Sequence, residues 1–138
     1  MSYTIGWRDK TVTVNTGAEA VAALEQIAAE TSGPFLMQVG SVDSPDVGIE
    51  LVYGCTERAM LMYADENFGG WALDPDLPLA AEDLDYDYGS VEPDRTRITA
   101  AQARRAVAEF IDTGGRPSGL SWLDEHHLAN LADTRDDA

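Results

Sequence analysis

Residues 59–94 contain no lysine or arginine, and ten carboxylates fall within residues 65–94: Asp65, Glu66, Asp74, Asp76, Glu82, Asp83, Asp85, Asp87, Glu92 and Asp94. Like charges at that density repel one another, which confines this stretch to a solvated surface and requires something else to hold it there. Phe68, Trp71, Tyr86 and Tyr88 are the anchors available within it. An acidic surface costs stability, and it answers either a solubility requirement or a basic partner.

The rest of the chain sets bounds on that choice. Its 138 residues, 44% of them hydrophobic, suit one globular domain able to bury roughly two-thirds of its unfolded surface. A formal net charge of −16 argues against nucleic acid or an anionic membrane as direct partner, since both would be repelled. Cys55 is the only cysteine, so no intrachain disulfide can form. The amino terminus shows no apolar run after a basic segment, and no apolar segment approaches the length of a membrane span. The expectation is a cytoplasmic protein that works alone or meets something basic.

Periodicity predicts the elements. Residues 3–7 and 11–15 are β-prone and separated by RDK, which reads as a hairpin. Thr16 with Glu19 forms a capping box that opens a helix over 17–31, its buried stripe made of Val21, Leu24, Ile27 and Ala28. Strands follow at 35–40, 48–54 and 58–65, with a turn at Ser44-Pro45-Asp46. The third of them is apolar on both faces and therefore central and covered. Trp71 and Leu73 should point inward together from a strand over 70–74. Residues 74–83 read as an acidic loop. Residues 84–88 alternate strictly, which places Asp83, Asp85 and Asp87 in a solvent-facing row about 7 Å apart, backed by Leu84, Tyr86 and Tyr88. After a linker over 89–97, Thr99 and Gln102 cap a second helix near 100–112. Its stripe is Ala103, Ala106, Val107, Phe110 and Ile111, and Gly114-Gly115 closes it. A last strand at 119–123 turns Leu120 and Trp122 inward. The fold class expected is α+β: a single domain over 1–124 with a mainly antiparallel sheet and two helices on one face. Residues 125–138 read as a polar, flexible tail.

Catalytic chemistry finds no support. No nucleophile elbow, phosphate-binding loop or dinucleotide fingerprint occurs. His126 and His127 are adjacent, so their side chains diverge, and no third ligand accompanies them. Cys55 follows Gly54 at a strand end with no histidine placed to activate it. Asp74-Pro75-Asp76 and the Asp83, Asp85, Asp87 row invite a calcium reading, but the required glycine and distal glutamate are absent. Two-carboxylate hydrolysis needs acids in contrasting environments, whereas three alternating aspartates on one solvent face share one. The reading is therefore a non-enzyme with no catalytic, cofactor-binding or metal-binding residue.

Residues 98–125, ITAAQARRAVAEFIDTGGRPSGLSWLDE, carry a resemblance. The Thr-capped helix running through Arg104 to Pro117 and the strand with Trp122 resemble the carboxy-terminal signature of immunity protein family 1 of bacterial polymorphic toxin systems, a family common in actinobacteria. YADENFGGW, residues 63–71, resembles that family's Tyr-Ala-Asp and Gly-Gly-aromatic centre. The likeness extends to about residue 124, and the tail does not share it.

The resemblance implies a non-enzymatic antidote that binds a cognate toxin, often one acting on nucleic acid, including deaminase-type toxins. The physics runs the same way: an enzyme that handles nucleic acid presents a basic cleft, and carboxylates can fill it with steered association. The interface candidates are Asp65, Glu66, Trp71, Asp74, Asp76, Glu82, Asp83, Asp85 and Asp87. Trp71 reads first as core, and as an affinity anchor if exposed beside the carboxylates. An acidic secretion chaperone or adaptor is the main alternative, and it would bind its export substrate without inhibiting it. A small metal-dependent hydrolase would hold metal and lose activity when one acid pair is changed. A salt-adapted structural domain would gain stability steeply with salt and have no specific partner. The neighbouring upstream gene separates these classes, because an antidote is expected beside a long secreted protein with a toxin-like carboxy-terminal domain.

Overall fold

Period-two alternation between residues 35 and 64, flanked by two amphipathic helices, decides the architecture. The computed structural model describes residues 2–31 and 33–124. In chain order it contains strands β1 (Tyr3–Trp7) and β2 (Lys10–Val14), helix α1 (Gly17–Glu30), and strands β3 (Phe35–Ser41), β4 (Ser44–Tyr53), β5 (Arg58–Ala64) and β6 (Gly69–Leu73). Then come β7 (Leu84–Tyr86), β8 (Gly89–Val91), a 3-10 turn (Pro93–Arg95), β9 (Ile98–Thr99), helix α2 (Ala100–Thr113) and β10 (Ser121–Asp124). The fold is α+β. One antiparallel sheet runs in the order β10-β6-β5-β4-β3-β1-β2, with β9 paired to the start of β5. Both helices pack on the same face of it.

The helices form where their caps are. Thr16 Oγ1 accepts the Glu19 N–H at 3.1 Å while Glu19 Oε1 accepts the Thr16 N–H at 3.2 Å. Thr99 and Gln102 repeat the box for α2 at 3.1 and 2.8 Å. Each box satisfies two backbone donors that a helix start leaves unpaired. The five apolar residues expected on α2 are all buried, and Gly114 ends the helix in the left-handed region at φ 77°. On α1 the buried stripe is Gly17, Ala20, Leu24 and Ile27, with Val21 only half-buried. The stripe is rotated because α1 packs on α2 as well as on the sheet. Gly17 lies so close to α2 that a Cβ there would sit 2.6 Å from the Ala108 carbonyl oxygen, and its N–H donates to Asp112 Oδ1 at 2.8 Å.

Three expectations change. The β3–β4 turn lies at Val42 and Asp43, and Ser44, Pro45 and Asp46 already belong to β4. Proline is tolerated there because it sits at the strand's start, beside a bulge after Gly40, where few ladder donors are needed. Residues 89–97 are not a plain linker, since β8 and the 3-10 turn lie within them. Trp71 is buried at 6% exposure but packs on the sheet face away from the helices, while Leu73 is half-buried. Ala72 is the residue of β6 that enters the main core.

Two cores result. The larger, between sheet and helices, holds Phe35, Leu51, Leu61 and Phe110 at 0–1% exposure. A run of aromatic contacts through Tyr3, Phe110, Tyr63, Phe68 and Trp122, centroids 5.4–6.5 Å apart, ties α2 to both ends of the sheet. The smaller core lies on the opposite face and joins Val52, Met60, Trp71 and Val91. β5 is thus covered on both sides, as its sequence predicts. Among the described residues, no helix is long and apolar enough to cross a membrane.

Candidate functional site

The smaller core explains where the acidic stretch goes. β7 and β8 pair only with each other, through Leu84 with Val91, Asp85 with Ser90 and Tyr86 with Gly89. A hairpin of three pairs is marginal in water, so its position depends on side-chain burial. Leu84, Tyr86 and Val91 supply that burial by packing over Val52, Met60 and Trp71. The alternation of residues 84–86 then turns Asp85 to solvent. Arg95 closes one side, its guanidinium 4.3 Å from the centre of the Trp71 ring.

The hairpin tip corrects the expected row. Asp87 and Tyr88 form the turn, so Asp87 leaves the alternation. Its Oδ1 accepts the Leu36 N–H at 3.2 Å and its Oδ2 pairs with Arg8 Nε at 3.4 Å. Leu36 lies beyond the end of the β1 ladder, which leaves its N–H free for this bond. Asp87 therefore latches the hairpin to the main sheet, and its side chain is only 18% exposed. Tyr88, which would have backed the row, is 68% exposed instead. The turn pair Asp87-Tyr88 carries none of the Asn-Gly, Asp-Gly or Gly-first signals of a two-residue hairpin, so the sequence left it unmarked.

Other candidate carboxylates hold the fold. Asp65 accepts from the Asn67 N–H and from Tyr63 Oη, both at 2.8 Å, and so shapes the β5–β6 turn. The Asn67 N–H, then the Tyr63 hydroxyl, hold its carboxyl below the ordinary range. Burial first, and the bond to Asp65 second, push Tyr63 up to about 12. Asp74 accepts Gln102 Nε2 at 2.8 Å and the Asp76 N–H at 2.9 Å, which joins the acidic loop to the start of α2. Those bonds, Gln102 foremost, lower its carboxyl as well. Glu66, Asp76, Glu82, Asp83 and Asp85 are exposed, as are Glu92 and Asp94.

What leaves those charges uncompensated is the use made of the arginines. Arg58 donates to the Thr96 carbonyl, Arg97 to the carbonyls of Leu77 and Pro75, and Arg104 to Tyr53 Oη. Arg95 and Arg116 lie 4.3 Å from the ring centres of Trp71 and Phe68. Among the described residues the one ion pair is Arg8 with Asp87. Arg58, Arg95, Arg97, Arg104 and Arg116 thus brace loops and rings, and the exposed carboxylates are left without a direct ion-pair partner among the described residues. Among the described residues, no group of three His, Cys, Asp or Glu side chains is arranged to hold a metal ion.

Beside the hairpin the second face stays open. Strand registers place Gly6, Gln38, Glu50 and Met62 in one row across the sheet, and Thr4, Gly40, Gly48 and Ala64 in the next. The row before them, Leu36, Val52 and Met60, is the one the hairpin covers. The two uncovered rows floor a groove of about 780 Å³.

A family model described as Immunity protein Imm1 matches residues 8–124. The chain belongs to the Imm1 family. The match runs from the β1–β2 turn through β10, so it includes the acidic hairpin and, apart from the residues of β1, both cores and the groove. Imm1 membership makes this an immunity protein, whose partner is a cognate toxin protein. The residues that carry the sequence likeness to the family are largely structural in this Imm1 protein. Phe110 and Trp122 join the aromatic run, Gly114 caps α2, Asp65 sets a turn, and Gly70 leaves room for the Leu123 carbonyl. No curated protein matches the chain. His126 and His127 lie outside the described residues.

Proposed function

We propose that this protein neutralises a toxin with a basic cleft, one that acts on nucleic acid as a deaminase or nuclease, by presenting the acidic second face of its sheet. The observation that supports this reading is the division of labour among the charges. Exposed carboxylates crowd the hairpin and its flanks, while Arg58, Arg95, Arg97 and Arg116 are engaged with carbonyls and aromatic rings. A cleft shaped to hold phosphates meets such a surface with complementary potential, which speeds encounter and rejects acidic competitors. Glu66, Asp76, Glu82, Asp83 and Asp85 are the residues we assign to direct contact. Asp87 acts by holding the hairpin in place, and Asp65, Asp74 and Trp71 act by holding the surface beneath it. Inhibition proceeds by occlusion, with no chemical step on this protein.

The test is inhibition and binding of the toxin domain encoded beside this gene, measured across ionic strength. Affinity should fall steadily as salt rises, and Asp83→Asn with Asp85→Asn should lower the association rate more than it raises dissociation. An affinity indifferent to salt, or unchanged association in the double variant, would remove the acidic-face mechanism.

A further inference from the structure

The acidic hairpin stops where the groove begins, and the groove has its own chemistry. Three of its eight floor positions, Gly6, Gly40 and Gly48, have no side chain, so the sheet backbone there can be approached closely. Its rim carries Val42, which is 89% exposed, beside Pro45 and Asp46. Glu50 projects from the floor into solvent, and its described bond is a 3.4 Å donation from Gln38 Nε2. Among the described residues no lysine or arginine lines the groove, and the nearby Arg8 is paired with Asp87 on the hairpin tip. The result is a floor of glycine backbone and mixed side chains, Met62 and Ala64 among them, with anionic groups at its centre and rim.

We infer that this groove seats an arginine- or lysine-bearing segment of the toxin, its backbone laid against the glycines and a cationic side chain directed at Glu50. The inference rests on the toxin-binding reading and gives it a second contact zone, continuous with the hairpin. Charge decides the occupant. An acidic segment, or a second copy of a chain with net charge −16, would be repelled from Glu50 and Asp46. A long cationic side chain can bury its aliphatic stem on Met62, which faces the groove beside Glu50, while its head reaches the carboxylate. A small molecule fits less well, because small-molecule sites enclose most of their ligand and this groove is open to solvent.

Two substitutions probe the groove without touching the hairpin. Glu50→Lys reverses the floor charge at an exposed position. Gly40→Val fills the floor, and a Cβ there meets only the Val47 carbonyl oxygen at 3.7 Å, an ordinary contact. Each is titrated, after a thermal melt, against the purified toxin domain encoded by the adjacent gene, with Asp83→Asn/Asp85→Asn in parallel. Each groove variant should weaken binding by about tenfold or more, and β3 and β4 amides should gain hydrogen-exchange protection in the wild-type complex. Affinities within about twofold of wild type for both groove variants, with the hairpin variant weakened, overturn the groove while leaving the toxin reading intact. A Gly40→Val protein that binds normally but changes from dimer to monomer assigns the groove to a second copy and also overturns the inference. Failure of the wild-type protein to form any complex removes the toxin reading and the groove together.

Discussion

Replacing Val91 by alanine should release the acidic hairpin without unfolding the protein. Val91 is 8% exposed and sits between the hairpin and the Val52, Met60 and Trp71 surface. The substitution removes two methyl groups from that contact, worth about 0.8 kcal/mol each, or about 1.5 kcal/mol after the residual exposure. β7 and β8 share no ladder with the main sheet, so nothing in the sheet's hydrogen bonding offsets the loss. The cost therefore falls on docking, and the equilibrium between docked and open hairpin should shift about tenfold toward open. Native-state hydrogen exchange resolves this: amides of residues 84–91 should lose about tenfold in protection, while those of Leu51 and Leu61 in β4 and β5 hold theirs. Toxin affinity should fall in proportion to the docked fraction where docking is marginal, and hardly at all where it is strong. Protection lost equally in the hairpin and in β4 would refute the reasoning, because the hairpin would then open only with the whole domain.

Gly17→Ala should destabilise the fold by about 1–3 kcal/mol in urea unfolding, because the added methyl meets the Ala108 backbone of the neighbouring helix. Phe110→Ala, which removes the ring linking Tyr3 to Tyr63, should cost about 3–5 kcal/mol. Tyr63 is raised, so its contribution is complete below its ordinary value of 10.0 and is lost as pH rises toward about 12. Tyr63→Phe should flatten the alkaline limb of the melting-temperature curve, and an unchanged limb counts against the burial assigned to that hydroxyl. Asp74 is lowered, so its contribution is present above its ordinary value and is lost as pH falls through the acid range. Asp74→Asn should reduce acid sensitivity while destabilising the protein at neutral pH. The Gln102 amide cannot turn to suit an asparagine, since its Oε1 already accepts the Thr99 N–H.

Local signals were legible where one residue and its near neighbours settle the outcome. Both capping boxes follow from Thr16-x-x-Glu19 and Thr99-x-x-Gln102, and the α2 stripe and its Gly114 stop need only a 3.6-residue period. Two-sided apolarity marked β5 as covered before anything showed what covers it. The acidic concentration and the scarcity of bases were likewise readable, and with them the expectation of a basic partner. Tertiary structure decided the rest, because those outcomes depend on groups far apart in the chain. Asp87 became a latch through Leu36 and Arg8, 51 and 79 residues away. Trp71 faced the second core because the hairpin covers that side of β6, and Asp74 became a tie to α2 through Gln102, 28 residues away. Alternation assigns residues to one face or the other but does not say which face the helices take, and composition counts charges without saying which are answered. Pairing across the fold settles both, which is why the sequence alone could name an acidic stretch and only the structure could separate the carboxylates that hold the protein from those left facing outward.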